Sequence, residues 1–148
     1  MRPLLGVTAE GRRFDTVLMG WRTHQPAVDT GLAGGAYPHL RQVVATHRSL
    51  PEDYGIETIR GDLVAQVRAL KQEDGRDIWL CGGGDLAAQL VEVIDEIQLK
   101  VNPILMGHGI SLLPAAGGPR SWELASCEQL LGGVVLLTYR APQEMPTQ

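Results

Sequence analysis

The chain has 148 residues, of which 44% are apolar and 20% charged, with a formal net charge of −4. That suits one globular domain spanning 1–148, and a domain of this size typically buries roughly 68–70% of its unfolded surface. A net-negative chain has no general attraction for nucleic acid or an anionic membrane, so an anionic ligand must be held by local groups.

The two cysteines, Cys81 and Cys127, form no CxxC pair, and Cys81 sits in an apolar run, so a disulfide framework is not expected. His24, His39, His47 and His108 show no metal-ligand spacing, and no metal site is expected. No apolar run approaches the roughly 20 residues of a membrane span. The opening MRPLLGVTAEGRR lacks a signal peptide's apolar stretch. A cytoplasmic setting is the expectation.

In chain order, Asp15–Gly20 (DTVLMG) is a short apolar run closed by glycine, a buried strand. Gly31–Pro38 (GLAGGAYP) is a loop by its glycines and proline. Gln42–Thr46 and Ile56–Ile59 read as strands. From Leu63, apolar residues recur at Val64, Val67 and Leu70, which is helical spacing, with Asp62 as the N-cap. Ile78–Cys81 is a continuous apolar strand, and Leu86, Ala87, Leu90 and Val91 form a second helical face. Ile97, Leu99 and Val101 alternate with polar residues, as a strand does. Trp122–Leu130 and Val134–Tyr139 flank Gly132-Gly133, a hairpin signal. The tail 141–148 is frayed. Strands alternating with helices and then strands alone imply parallel βαβ units followed by an antiparallel edge.

Three adjacent glycines, Gly82, Gly83 and Gly84, sit between a strand and a helix. Each costs roughly 0.5–1 kcal/mol relative to alanine inside regular structure, so a ligand approaching the backbone is a reason to keep all three. Free N–H groups at such a turn make a phosphate cradle. A tight turn needing positive φ is the bland alternative, and one glycine would satisfy it. GGGDLA also fits the letters G-x-G-x-x-A, but the following strand runs into NPILMGHG without the acid a ribose requires, so the ordinary dinucleotide fold is rejected. Gly20–Thr23 (GWRT) and Thr46-His47-Arg48 likewise follow strands. In a parallel sheet all three patches share one rim, where Arg22, His47 and Arg48 supply local positive charge.

FDTVLMGWRT, YPHLRQVVATHRSLP, GRDIWLCGGGDLAAQL, IDEIQLKVNPILMGHGISLL and GGVVLLTYR resemble, in that order, segments of the dihydrofolate reductase-like family. Within it the chain resembles the reductase domain of the riboflavin-biosynthesis deaminase–reductase. The resemblance covers Phe14 to Arg140. It implies an α/β fold, a mostly parallel sheet flanked by helices with an antiparallel C-terminal hairpin. The implied activity is NADPH-dependent hydride transfer to a pterin or aminopyrimidine-like small molecule. By the resemblance, Gly20, Trp21, Arg22 and Thr23 contact the cofactor's phosphates. Thr46, His47 and Arg48 lie near the adenosine 2′-phosphate, favouring NADP over NAD. Gly82, Gly83, Gly84, Asp85 and Leu86 receive the diphosphate. Trp21 stands where many relatives carry a basic residue.

The family usually begins with a further strand, loop and helix before the segment resembling FDTVLMG. This chain therefore reads as N-terminally truncated, with 1–13 a remnant or extension and the family's first strand missing. The Ile78–Cys81 and Ile97–Val101 strands are then left with open edges, to be filled by residues 2–9 (Leu4–Ala9 being strand-like), a partner chain or an upstream segment. An open edge also favours a homodimer. No residue is named as a general acid. Asp95 and Glu96 read as solvated, whereas Lys100 and Asn102, on one face of a central strand, are candidates for the substrate pocket. The other readings are a nucleotide-binding protein without turnover and a dimerising protein whose glycine turn is empty.

Overall fold

The structure, a computed structural model, describes residues 13–32, 34–50, 55–114 and 117–142. The Leu4–Ala9 segment lies outside the described residues, as do all but Arg13 of 1–13 and all but 141–142 of the tail. The chain divides into two compact units, Met1–Val93 and Ile94–Gln148.

In the first unit β1 (Phe14–Gly20) lies between β2 (Arg41–Ala45) and β4 (Asp77–Cys81), with β3 (Glu57–Ile59) outside β2. All pairings are parallel. FDTVLMG is continuously apolar at its centre because β1 is bonded on both edges and covered on both faces, with Val17, Leu18 and Met19 fully buried. Val17 and Met19 pair with Trp79 and Cys81, and Met19 with Val44, which puts these side chains on one face. Phe14, Tyr37 and Leu40 pack on that face, with the Tyr37 and Trp79 rings edge to face at 5.0 Å.

The helices are α1 (Trp21–Asp29), α2 (Leu63–Leu70) and α3 (Gly84–Gln89). Asp62 caps α2 as expected, accepting the Ala65 N–H at 3.0 Å. The loop at 31–38 is fastened by buried Gln42, whose Nε2 donates to the Gly34 carbonyl and whose Oε1 accepts the Tyr37 N–H. At the amino end of the sheet, Arg41 holds Glu57 through Nε and Nη2 (2.6 and 2.7 Å) and also bonds Glu73. The guanidinium keeps the Glu57 carboxyl below its usual range.

In the second unit β5 (Glu96–Val101), β6 (Glu123–Gln129) and β7 (Val135–Arg140) form an antiparallel sheet in the order β5-β7-β6. The antiparallel strands are expected as an edge of the parallel sheet; among the described residues they form a sheet with β5, in which β7 pairs with both β5 and β6. Among the described residues β4 is bonded only to β1 and β5 only to β7, so each has one open edge. The glycine hairpin signal marks the right place, but the link is longer than two residues. The link turns at Gly132 and Gly133, which both take positive φ, and the Leu130 N–H donates to the Val134 carbonyl at 2.7 Å.

α1 packs on β1 and β2 and buries His24, whose two ring nitrogens lack hydrogen-bond partners among the described residues. Burial lowers its pKa below the ordinary 6.5, so the folded state resists a proton that the unfolded chain accepts. The unfolded state then binds more protons between the lowered pKa and 6.5, and stability falls as pH drops through that window, by up to about 1.4 kcal/mol per pH unit. Above 6.5 the stabilisation is fully present. The variant His24→Leu is expected to flatten urea-derived stability below pH 6.5; an unchanged slope would assign the acid sensitivity to other groups.

Candidate functional site

Parallel registers fix where the strands end. Gly20 pairs with Ala45 and Met19 with Cys81, so the residues after β1, β2 and β4 emerge at one level. The three predicted patches meet there. The Arg48 guanidinium lies over the Trp21 ring, 4.9 Å from its centroid. Arg22 Nη1 is 3.5 Å from Asp85 Oδ2, and Gly82 backs onto Thr23. A basic charge therefore does occupy the space around Trp21, carried by Arg48, three residues past the end of β2. Such a cation–π contact is worth about 0.5–1 kcal/mol where exposed. The Arg22–Asp85 pair is open to solvent, and pairs of this kind contribute little to stability. It leaves Arg22 available to an anion.

The second patch is a built turn. Thr46 is buried, its Oγ1 accepts the Arg48 N–H at 3.0 Å, and its own N–H donates to the Ile59 carbonyl at 3.2 Å. Thr46 thus sets the turn, whereas His47 and Arg48 are the exposed members. Arg60 Nη2 donates to the Arg48 carbonyl at 2.7 Å and adds a cation that the sequence reading passed over. Its signal was available: Arg60 directly follows β3, as Arg48 closely follows β2.

The glycines separate by cause. Gly82 and Gly83 have φ of 79° and 69°, so the turn needs two glycines where the bland reading allowed one. At Gly82 a Cβ would also stand 2.9 Å from Thr23 Oγ1. Gly20 differs. Its backbone is ordinary extended chain (φ −81°, ψ 162°), and a Cβ there would meet only Leu86 Cδ2, at 3.8 Å. Among the described residues nothing demands glycine at that position. Leu86 is buried; the parts it and Asp85 offer a ligand are backbone N–H groups at the start of α3.

Other candidates lie elsewhere. Trp79 packs with Phe14 and Tyr37 on the core cluster. Lys100 and Asn102 belong to the second unit; β5 is an outer strand of its sheet among the described residues, correcting the expectation of a central one. Lys100 pairs with Leu136 and is exposed, and Asn102 lies just past the strand end. Glu96 is not simply solvated: it accepts from Gln98 Nε2 at 3.2 Å and pairs with Arg140 at 3.6 Å. Among the described residues no cluster of His, Cys, Asp and Glu suits a metal ion, and no helix is long and apolar enough to cross a membrane.

A parallel α/β sheet with a glycine turn at its carboxyl rim, followed in the chain by a small antiparallel sheet, is a dihydrofolate reductase-like fold. The chain is similar to dihydrofolate reductase from Enterococcus faecalis, solved with NADP(H) and RAB-propyl, with a TM-score of 0.64 at 16% identity over 95% of this chain and 82% of that one. It is similar also to a putative riboflavin biosynthesis protein from Shewanella sp. PV-4, with a TM-score of 0.72 at 23% identity over 93% and 80% of the two chains. Residues 11–136 match the RibD C-terminal domain, and the chain belongs to that family. The uncharacterised protein YyaP of Bacillus subtilis is 26% identical over 151 residues, covering 94% of this chain and 80% of its own.

The glycine assignments predict unequal stability effects. Gly82→Ala is expected to cost about 1–2 kcal/mol from backbone strain alone, with the Thr23 clash added, measured by urea unfolding. Thr23→Ala in that background should recover part of the loss. Gly20→Ala should change stability by less than about 1 kcal/mol, the scale of a helix N-cap preference. A large loss at Gly20 would mean that the fold itself requires glycine there.

Proposed function

We propose that the protein is an NADPH-dependent reductase that delivers hydride to a pterin or aminopyrimidine-like small molecule, working in the cytoplasm. The observation that carries this reading is Gly20: a glycine that no described residue requires, on a rim lined by Arg22, Arg48 and Arg60. Family membership and the dihydrofolate reductase-like fold support a reductase, and the NADP(H) bound to the Enterococcus enzyme supports a nucleotide cofactor.

The residues present fit such a cofactor. The bare backbone at Gly20, Gly82 and Gly83 admits a diphosphate. Arg22 would exchange Asp85 for a phosphate oxygen. Arg48, held by its own turn and by the Trp21 ring, would meet the 2′-phosphate, with Arg60 behind it. When bound, NADPH supplies the hydride; the side chains of the rim bind and orient it.

A second reading, a nucleotide binder without turnover, is favoured by one observation. In the first unit, the acid–base groups displaced by hydrogen bonds and charge (Asp15, Arg41 and Glu57) lie at the amino ends of the strands, away from the rim. Displaced groups commonly gather where acid–base chemistry is done. Assay of NADPH oxidation with dihydrofolate or an aminopyrimidine ribitol substrate separates the two.

Titration with NADPH is expected to quench tryptophan emission saturably, and Trp21→Phe should remove most of that response because Trp79 packs in the core. Gly20→Ala should weaken NADPH while the fold persists. Arg48→Ala should weaken NADPH more than NADH; equal effects would remove the 2′-phosphate role. No quenching at millimolar nucleotide would reject both readings.

A further inference from the structure

Each residue in the first turn of α1 has a different neighbour on the rim. Trp21 donates from Nε1 to Gln25 Oε1 at 3.1 Å, and its ring carries the Arg48 guanidinium at 4.9 Å. Arg22 reaches Asp85, and Thr23 backs onto Gly82. The next residue, His24, faces the interior: it is 1% exposed and is buried together with Ala27, one turn further on. Its ring meets the Trp21 ring edge-on, with the centroids 5.8 Å apart. The ring that bears Arg48 is therefore also in contact with a fully buried imidazole.

Packing alone does not call for an imidazole at this place. Neither Nδ1 nor Nε2 has a hydrogen-bond partner among the described residues. A leucine or phenylalanine would fill the space without leaving a buried donor and acceptor unsatisfied. The charged groups on the elements packed against α1 are committed elsewhere. Asp15 of β1 accepts from the Thr16 hydroxyl and the Arg76 N–H, and Arg41 of β2 holds Glu57 and Glu73. Past the strand ends, His47 is exposed, Arg48 lies on Trp21, and Asp85 of α3 pairs with Arg22. Asp29, at the far end of α1, is exposed. None of these carboxylates bonds His24, and burial is what lowers its pKa.

We propose that His24 is a proton-operated positioning residue of the rim: neutral, it seats the first turn of α1 on the sheet, and protonated, it displaces that turn, so that Arg48 loses its ring and the rim loses affinity for an anion. An imidazolium without a partner gains free energy by moving toward water. The rim contacts of α1 lie within three residues of it, at Trp21, Arg22 and Thr23, so a small displacement of the turn reaches all of them. Protonation also brings a second positive charge to the ring that bears Arg48. By linkage the reverse holds: an anion that needs the seated turn binds best to neutral His24 and expels its proton. One proton limits the effect to about tenfold in affinity per pH unit. The coupling to a nucleotide rests on the reading of the rim given above; the displacement of the turn does not.

Calorimetric titration with NADP⁺ from about pH 7.5 to about pH 5.5, under conditions where circular dichroism reports the native fold, tests the coupling. His47 and the 2′-phosphate titrate in the same range, but they do so in wild type and in His24→Phe alike. Over this range the wild-type dissociation constant should rise at least roughly threefold more than that of the variant, and binding should release more protons from the wild type. Equal profiles would overturn the proposal. In the protein without nucleotide, the Trp21 indole N–H and the Arg48 amide should shift together with the His24 ring resonances as pH falls, and His24→Phe should abolish both shifts. If NADP⁺ binds at no pH, the nucleotide reading fails and these shifts decide: their presence in the wild type alone supports the displacement, and their absence refutes it. Should His24→Phe fail to fold, His24→Leu takes its place. A wild type in which Trp21 and Arg48 ignore the titration of His24 refutes the proposal without any variant.

Discussion

The rim depends on β1. Its residues Val17, Leu18 and Met19 are buried, and the strand is bonded in parallel on both edges, so β2 and β4 are held in fixed register with it. Only because all three run the same way do Gly20, Thr46 and Gly82, separated by 26 and 36 residues in sequence, emerge side by side. A shift of one residue in either pairing would turn the affected strand over and separate Arg48 from Trp21 or Gly82 from Thr23. The apolar packing of one strand thus positions polar groups that never touch it.

The two ends of the parallel sheet are built for different tasks. At the amino end, Arg41, Glu57 and Glu73 satisfy one another, and Asp15 accepts the Arg76 N–H at 2.7 Å and the Thr16 hydroxyl at 2.8 Å. Charges there are consumed in holding the strands together. At the carboxyl end Arg22 has, among the described residues, a loose, exposed partner in Asp85, and Arg48 rests on a ring. Positive charge held in place but weakly compensated suits an anionic ligand, whereas saturated charge suits structure.

Most of the first unit was legible in sequence, because its signals are local: a capping aspartate before an apolar helix face, glycines after strands, short apolar runs. The rim was legible for the same reason, since parallel strands put their carboxyl ends together. What escaped depended on contacts distant in sequence. Arg60 belongs to the rim through the Arg48 carbonyl, and Thr46 turned out to be an internal support. α1 runs through Pro26, which local propensity alone would place at a helix boundary; its end is fastened by the Thr30 hydroxyl on the Pro26 and Ala27 carbonyls. The pairing of β7 with both β5 and β6, and the register shift between Leu124 and Ser126 of β6, have no one-dimensional signature. ELASCEQ alternates poorly until one residue is set aside.

The central claim is that one nucleotide binds across the carboxyl ends of β1, β2 and β4. Nitrogen–proton correlation spectra of the labelled chain, recorded through a titration with NADP⁺, test it most directly. The account predicts saturable shifts at the amides of Gly20, Arg22, Arg48, Gly82 and Gly83, sharing one dissociation constant, while those of Asp15, Arg41 and Glu57 stay in place. Shifts confined to the amino ends of the strands, or none in the presence of millimolar nucleotide, would contradict it.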